Sequence, residues 1–594
     1  MLSFFAKRGM FLLHCLLIPQ VLVCASDLDK SKYIGIDEIK PGMQAYCLTI
    51  YKGTEIERFS LEVISVIHKR SPGRDAILVQ GTDERFIHTG PVMGCSGSPV
   101  YIDGRMAGAL SYGWSYSKDP LYEVTLIEDM LKVGQTNTTE TGQGSTAFAF
   151  DFSKPIDLAE VDKVMRASAN TTTSTPRSLL VTSGLSAQVC EQLDTLVRPL
   201  GFTAVQGIGA GQSDVPTQTR LVPGACVAVP IVAGDIAVTA IGTVTEVQGE
   251  KVYSLGHGFL GYGPVDLPMA TGQVHTVVSN LNFSFKLARP LEVVGALRSD
   301  ESAGVVGIIG AKARTIPMRI EVVRYNEPQA QVYNCQVASN RLLTPSVMGS
   351  AMAGAALKLG SLGPDNMIKY KAKIVLADGR QIVFENLSTS IGLIEMLIES
   401  TGSVALMMNN PYKKTEIKSM DFEIQIESRN SASHIWSVDI SDSRVKAGDS
   451  VEVSTVIESA YSEKKRYRFN VEIPETLARG RYELIVCGGY GYQKFIRKTA
   501  PYKYTADNFD SLVEVLNSAL SVRRDRLYCL LTLPVGGVAV GRAELPDLPA
   551  TKAMVLGDKK RTLKIQPYSH WLEESLSTDS IVVNQKKLYI TVEQ

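Results

Sequence analysis

The chain has 594 residues, of which 45% are hydrophobic and 21% are charged, a balance typical of a folded protein with several domains. Its 61 basic and 61 acidic residues give no net charge, so the composition offers no support for a nucleic-acid partner or an anionic membrane surface. The 49 glycines and many short alternating segments favour a mainly β fold.

Residues 1–25 have the pattern of a secretory signal peptide. Lys7 and Arg8 precede an apolar run over residues 10–23, and a small-residue cleavage site ends at Ala25. The run is shorter than the roughly 20 apolar residues that a membrane span needs. The sequence therefore predicts a secreted or periplasmic protein with no transmembrane segment beyond the signal, and an uncleaved anchor is the alternative.

Residues 33–133 are predicted to form one β-rich unit. Apolar and polar residues alternate in the segments that we predict as strands, at 45–51, 59–68 and 76–80. Residues 126–131 have apolar positions spaced for one face of a short helix. An irregular approach is predicted over residues 87–93, directly before the most informative stretch of the chain.

That stretch, residues 94–99, reads Gly-Cys-Ser-Gly-Ser-Pro and places Ser96 on a tight turn between short strands. Gly94 and Gly97 can adopt backbone angles that other residues rarely use. The turn exposes the serine hydroxyl and can direct the N–H groups of Gly94 and Ser96 at one point, as an oxyanion hole requires. The strand that follows favours a trypsin-like setting over the strand-to-helix nucleophile turn. The same residues also suit an ordinary turn.

A second β-rich unit is predicted over residues 221–298, after a linker with short helices at 134–220. A strand at 236–247 and a return strand at 251–255 lead to a histidine, His257, that lies between two glycines. Because glycines remove side-chain bulk, another segment can approach this imidazole closely. The pattern suits a catalytic base, or a histidine that only hydrogen-bonds a turn. Alternative bases elsewhere are His68, His88 and His275.

The rest of the chain carries no catalytic pattern. A β-rich domain is predicted at 299–415, an Ig-like β-sandwich at 416–500 and an α/β segment at 501–594. Two of the nine cysteines lie in the signal, and no Cys-x-x-Cys pair occurs, so we predict buried free thiols. No metal or other cofactor is predicted, because no histidines or carboxylates have ligand spacing on one helix.

Two segments resemble the SpoIVB-type serine peptidases, a family of secreted or membrane-associated bacterial enzymes. One covers residues 89–104 and contains the serine turn, with Cys95 where many members have methionine. The other is residues 241–245 (IGTVT) followed by residues 255–257 (LGH). Together with their surroundings these segments cover under a third of the chain.

The resemblance implies that Ser96 is the nucleophile and His257 is its base. The third member would be an aspartate shortly before the serine, for which Asp83 is the nearest match, and Asp266 is the alternative. In the sporulation protease the histidine segment precedes the serine segment, whereas here it follows. Triads are defined by geometry and occur in several chain orders, so the reversal does not forbid catalysis.

The sequence thus predicts a secreted serine endopeptidase with two β-barrel-like halves in a trypsin-like arrangement and a protein or peptide substrate. An alternative of another class is a catalytically inactive or self-cleaving scaffold that binds an envelope protein or polysaccharide. A third hypothesis is an esterase that uses the same serine.

Overall fold

The computed structural model describes residues 28–114, 116–135, 148–167, 178–207, 219–357, 362, 365–389, 393–430, 432–459, 463–546, 548–556 and 565–593. The predicted signal peptide and residues 136–147, 168–177 and 208–218 of the predicted linker lie outside these ranges. The predicted mainly β fold class is confirmed, because strands pair into one closed barrel and three further sheets.

The N-terminal unit is a closed six-stranded barrel with the strand order β1-β2-β3-β7-β6-β5. Its alternating pattern follows the two-residue period of a strand, since Phe59, Leu61 and Val63 are fully buried in its interior. The elements of this unit are β1 (Gln44–Thr49), β2 (Glu57–Ser71), β3 (Arg74–Gly81), α1 (Glu84–Thr89), β4 (Val92–Met93), β5 (Pro99–Ile102), β6 (Arg105–Gly113), β7 (Leu121–Leu126) and α2 (Ile127–Lys132).

The strands and the helix predicted in this unit are confirmed, within a few residues at their ends. The irregular approach predicted over residues 87–93 is wrong in its first half, where α1 forms. Asp83 caps this helix, because its carboxylate accepts a hydrogen bond from the backbone N–H of Arg85 at 3.0 Å. Phe86 is the one buried residue of α1, so this helix lacks the apolar face from which α2 was predicted.

A 14-stranded sheet follows, with the order β19-β18-β20-β16-β17-β10-β13-β14-β15-β12-β11-β8-β9, and β4 joins it beside β14. Its elements and covering helices are α3 (Leu158–Ala167), β8 (Ser178–Ser183), α4 (Ala187–Val197), β9 (Phe202–Gln206), β10 (Cys226–Gly234), β11 (Ala237–Gln248), β12 (Lys251–Ser254), β13 (Gly263–Val278), β14 (Ser284–Glu301), β15 (Gly304–Ile309), β16 (Thr315–Arg324), β17 (Gln331–Ala338), α5 (Leu343–Ala356), β18 (Met367–Leu376), β19 (Gln381–Thr389), α6 (Ile394–Met408) and β20 (Ile417–Glu427).

Six strands of this sheet close into a second barrel-like ring. Strand β10 pairs with β13, and the pairing continues through β14, β15 and β12 to β11, which pairs back with β10. Met269, Leu297 and Val305, from three of these strands, are buried in one hydrophobic cluster. The chain therefore has two barrel-like halves, as predicted, and the second extends through β15, past the boundary predicted at residue 298.

The C-terminal unit contains two sheets, with strand orders β24-β23-β21-β29 and β22-β30-β25-β26-β27, and β28 pairs with β26. Buried residues of both sheets, such as Val453 and Leu484, share one core. The elements are β21 (Ala432–Ile440), β22 (Arg444–Lys446), β23 (Ser450–Ser459), β24 (Lys465–Glu472), β25 (Gly480–Gly488), α7 (Gly489–Thr499), α8 (Phe509–Leu520), β26 (Arg526–Val540), β27 (Ala543–Pro546), α9 (Ala550–Leu556), β28 (Ile565–Ser577), β29 (Ile581–Val582) and β30 (Gln585–Glu593).

The strand pairing differs from the prediction of a self-contained β-sandwich at residues 416–500. Strand β20 pairs with β16 and β18 of the large sheet, and β26–β30 of the C-terminal segment complete the two later sheets. The Ig-like identity of this region is not confirmed. Turn signals locate strand ends, but they do not determine which strands pair.

The cysteines between residues 28 and 593 are all buried, and none of them forms a disulfide within the described ranges. Burial explains this, because a free cysteine behaves as a small apolar side chain. Over the same ranges, no helix has both the length and the apolar character that a membrane crossing requires.

Candidate active site

The serine turn of the first barrel lies against β11 of the second. The Thr243 hydroxyl donates to the carbonyl of Gly94 at 2.9 Å, and the Thr245 hydroxyl donates to that of Gly97 at 2.7 Å. The backbone N–H of Thr243 donates to the carbonyl of Ser96 at 2.9 Å. Three carbonyl oxygens of the turn are thus fixed by one strand, and both threonines are fully buried.

The two glycines of the turn are required by its geometry. Gly94 and Gly97 have φ values of 92° and 93°, in the region that favours glycine. A Cβ atom at position 97 would lie 2.0 Å from the carbonyl oxygen of Thr243 and 2.5 Å from the nitrogen of Leu255. The close approach of the two barrels at this point therefore requires glycine.

Of the two serines in the turn, only Ser96 is suited to be a nucleophile. Ser98 is fully buried, and its hydroxyl donates to the carbonyl of Cys95 at 2.6 Å. Ser96 is half-buried and lines a cleft. Its backbone N–H has no acceptor within the described ranges, whereas that of Gly97 donates to Leu110 at 2.7 Å. The Ser96 amide is therefore available to bind an oxyanion.

His257 follows a strained turn at the end of β12. Leu255 and Gly256 both have left-handed backbone angles, with φ values of 70° and 68°. A leucine in this region costs about 1–2 kcal/mol, which the surrounding packing must offset. The Thr125 hydroxyl of the first barrel donates to the carbonyl of Gly256 at 2.6 Å and so fixes the turn. The imidazole that follows is almost fully buried.

The hydrogen bonds of His257 define its tautomer. Nδ1 lies 2.8 Å from the carbonyl oxygen of Gly258, and a carbonyl can only accept, so Nδ1 carries the proton. Nε2 is buried without a hydrogen-bond partner among the described residues. Burial lowers the pKa of this histidine below its usual value of 6.5. The imidazole is therefore neutral near pH 7 and has a free lone pair on Nε2.

The serine turn and the histidine turn meet at Leu110 of β6. The carbonyl oxygen of Leu110 accepts from the N–H of Gly97, and it lies 3.1 Å from where a Cβ atom of residue 256 would be. The N–H of Leu255 also donates to Thr243, the residue that holds Ser96, at 3.3 Å. The fold thus brings the two segments together, although no hydrogen bond joins Ser96 to His257 in the described structure.

Both aspartates predicted as triad members are engaged elsewhere. The Asp83 carboxylate caps α1 and pairs with the guanidinium of Arg85 at 3.0 Å. Asp266 pairs with Arg298 at 2.5 Å and with Arg314 at 3.0 Å. Neither carboxylate hydrogen-bonds His257 in the part of the chain that the structure describes.

The other candidate bases lie on three elements of the fold, α1, β2 and β13. His88 is exposed in the last turn of α1. His68 is exposed and lies 3.0 Å from Asp75. His275 is on β13, where burial lowers its pKa. Over the described ranges, none of the three hydrogen-bonds Ser96.

Sequence reasoning missed Asp300, a buried carboxylate beside the histidine turn. It accepts hydrogen bonds from the N–H groups of Phe259, Leu260 and Gly261 at 2.7, 2.6 and 2.9 Å. Burial raises its pKa, although these three donors oppose the shift. The available signal was an acidic residue at an inward position of a strand. Asp300 therefore orders the loop that contains the Gly258 carbonyl.

We expect Asp300→Asn to destabilise the fold by about 1–3 kcal/mol, because an amide cannot accept all three hydrogen bonds. Chemical denaturation measures this change. Asp266→Asn is a matched control, since it weakens two more exposed ion pairs, with Arg298 and Arg314, and exposed pairs contribute about 0–1 kcal/mol each. Equal losses in the two variants would contradict the role assigned to Asp300.

Ser96 opens into a cleft of about 420 Å³ between the two barrels. The first barrel contributes Trp114 and Tyr116, and the β13–β14 loop contributes Leu281 and Phe283. Tyr116 and Leu281 are 74% and 97% exposed, so apolar side chains line its mouth. Most other lining groups are uncharged. The cleft therefore suits an uncharged, partly apolar ligand.

Residues 26–131 match a family model described as SpoIVB peptidase S55. The match confirms the resemblance stated for the serine segment, and it spans the first barrel, Ser96 and α2. It ends before the histidine segment. No curated protein and no solved structure matched the chain.

Proposed function

We propose that this chain, which has a SpoIVB peptidase S55 segment at residues 26–131, is a serine endopeptidase with Ser96 as nucleophile and His257 as base. The observation that carries the proposal is the state of His257: a neutral imidazole with its proton on Nδ1 and an unpartnered Nε2. This imidazole follows a turn that contacts the same residue, Leu110, as the serine turn.

In the proposed reaction, the Ser96 hydroxyl attacks the peptide carbonyl carbon while Nε2 of His257 accepts its proton. The histidine then donates this proton to the leaving amine, which releases one product and leaves an acyl-enzyme. Water, deprotonated by the same Nε2, hydrolyses the ester. The N–H groups of Gly94 and Ser96 are the proposed oxyanion donors. Catalytic hydrogen bonds are often long in the absence of substrate. We therefore propose that the hydrogen bond between Ser96 and Nε2 of His257 forms when substrate binds.

In this proposal the carbonyl oxygen of Gly258 orients the imidazole of His257. It fixes the tautomer of His257 and accepts from the imidazolium that forms when Nε2 is protonated. Asp300 holds the loop that contains this carbonyl and is a positioning residue. Asp83, the aspartate that the resemblance implied, is bound to Arg85 instead.

We further propose that the substrate is a polypeptide with an apolar side chain near the scissile bond. The aromatic and aliphatic groups at the mouth of the cleft support this choice. Arg198, a charged residue of its lining, is already paired with Asp194. We also propose that the N-terminal signal directs the enzyme out of the cytoplasm.

The pH dependence of kcat/KM should reveal the lowered pKa of His257. A base must be deprotonated to act, so the decline of kcat/KM with falling pH should have its midpoint below pH 6.5. The free enzyme is compared from pH 4 to pH 8 with a neutral peptide substrate, and stability is followed in parallel. A decline centred above pH 6.5 would contradict a buried neutral histidine as the base.

Cleavage of an unfolded protein, compared with hydrolysis of a small ester, tests the proposed activity. We expect wild-type protein without residues 1–25 to fragment unfolded casein, and Ser96→Ala to leave it intact. Ester hydrolysis without protein cleavage would support the esterase hypothesis. Folded wild-type protein without either activity would contradict the proposal and favour the scaffold.

A further inference from the structure

Lys286 on β14 is a fully buried lysine with no ion pair to any residue that the structure describes. Removing an ammonium group from water is costly unless other groups compensate for the lost hydration. A lysine is therefore rarely retained in such a place only to fill space. The side chain of Lys286 packs against Gly94 of the serine turn.

The ammonium group of Lys286 determines the direction of two hydroxyl groups. Nζ donates to Thr49 Oγ1 at 2.7 Å and to Thr243 Oγ1 at 3.1 Å. An ammonium group has no lone pair, so both hydroxyls must accept from it and direct their own protons elsewhere. Thr243 donates to the carbonyl of Gly94 at 2.9 Å, and Thr49 points at the sulfur of Cys95 at 3.9 Å.

These two acceptors belong to the two residues that precede Ser96. The alkyl chain of Lys286 also packs against the turn, since a Cβ atom at Gly94 would lie 3.2 Å from both Cβ and Cδ of the lysine. One side chain thus contacts the turn directly and acts on it through two threonines.

We propose that Lys286 is a positioning residue for the nucleophile. Its ammonium group orients the hydroxyl groups of Thr243 and Thr49. The two hydroxyl groups then hold the serine turn so that the hydroxyl and the N–H of Ser96 face the cleft. Without the ammonium group, the Thr243 hydroxyl can rotate and the carbonyl of Gly94 loses its fixed donor. The inference rests on the proposed function for its effect on catalysis, but its effect on the turn is independent of it.

The test uses Lys286→Met, which keeps much of the side-chain length without the charge. Replacing a buried charge by an apolar residue of similar volume is often tolerated, so we expect a folded protein. Hydrogen exchange of the amides in residues 92–98 should accelerate, and kcat should fall about 100-fold with KM nearly unchanged. Lys251→Met is the control, because this lysine is exposed on β12 of the same sheet.

Thr243→Val and Thr243→Ser separate positioning from packing. Valine removes the hydroxyl at similar volume, so its loss of kcat should match that of Lys286→Met. Serine keeps the hydroxyl and should restore most of the activity. Because lysine and threonine act in one chain of hydrogen bonds, the double variant Lys286→Met/Thr243→Val should lose little more than either single variant.

Unchanged exchange in residues 92–98 of folded Lys286→Met would overturn the inference, and so would unchanged kcat in an active wild-type background. If wild-type protein has no activity, the proposed function fails. Faster exchange in the variant would then support the effect on the turn alone, and the catalytic part of the inference would fall.

Discussion

Ser96→Ala and His257→Ala should each lower kcat for peptide cleavage by about 10⁶-fold, the loss seen when a triad serine or histidine is removed. The two groups act in one proton transfer, so the double variant should be no slower than either single variant. Initial rates on a fluorogenic peptide with an apolar residue before the scissile bond measure this. KM should change little, because the alanine substitutions leave the cleft intact.

Ser98→Ala and His88→Ala are the matched controls. Ser98 belongs to the same turn, but its hydroxyl is bonded to the backbone, and His88 is exposed near the same loop. Each control should keep kcat within about tenfold of wild type, since neither is placed to contact the substrate carbonyl. A loss in Ser98→Ala as large as in Ser96→Ala would contradict the assignment of the nucleophile.

Gly97→Ala should separate the two barrels at the site. A Cβ atom there would lie 2.0 Å from the carbonyl oxygen of Thr243, and backbone atoms cannot move aside as a flexible side chain can. Overpacking and an unfavourable φ of 93° together should destabilise the fold by about 3 kcal/mol or more. Activity should fall by at least about 100-fold, because the turn that carries Ser96 must shift.

Gly104→Ala is the matched control for this substitution. Gly104 lies in the same barrel with a φ of 79°, but a Cβ atom there would meet nothing within 4 Å. It should cost only the backbone strain, about 1–2 kcal/mol, and leave kcat unchanged. Thermal unfolding and kcat are measured for both variants, and Gly97→Ala should lose more stability and more activity than Gly104→Ala. Equal effects would show that the close approach at Gly97 is not the cause.

The serine segment and the segment that leads to His257 are the two sides of one contact. Residues 242–245 supply the groups that hold the serine turn, and a Cβ atom at Gly242 would lie 2.1 Å from Leu255 and 3.5 Å from the carbonyl oxygen of Ser96. Such a contact depends on which surfaces meet and is independent of which segment comes first in the chain. The proposed pairing of Ser96 with His257 therefore does not depend on the order of the two segments in the chain.

Local patterns were sufficient to predict the tight turn that carries Ser96, whereas the catalytic roles of Ser96 and His257 stay predictions. Gly94 and Gly97 could be identified because the positive φ angles of such a turn favour glycine. The sequence carried no signal for Lys286, and for Asp300 it indicated burial at an inward strand position but not a role, since both roles depend on partners that are distant in sequence. The alternation of apolar and polar residues predicted the strands of the two barrels. It did not predict that the second barrel extends through β15, because strand pairing joins residues that are distant in sequence.

The most direct test of Ser96 as nucleophile and His257 as base is to locate the adduct of a fluorophosphonate probe on the purified mature protein by peptide mass spectrometry. We expect one adduct, on Ser96, that is lost in both Ser96→Ala and His257→Ala. An adduct on another residue, labelling that survives His257→Ala, or no labelling of folded wild-type protein would contradict this assignment.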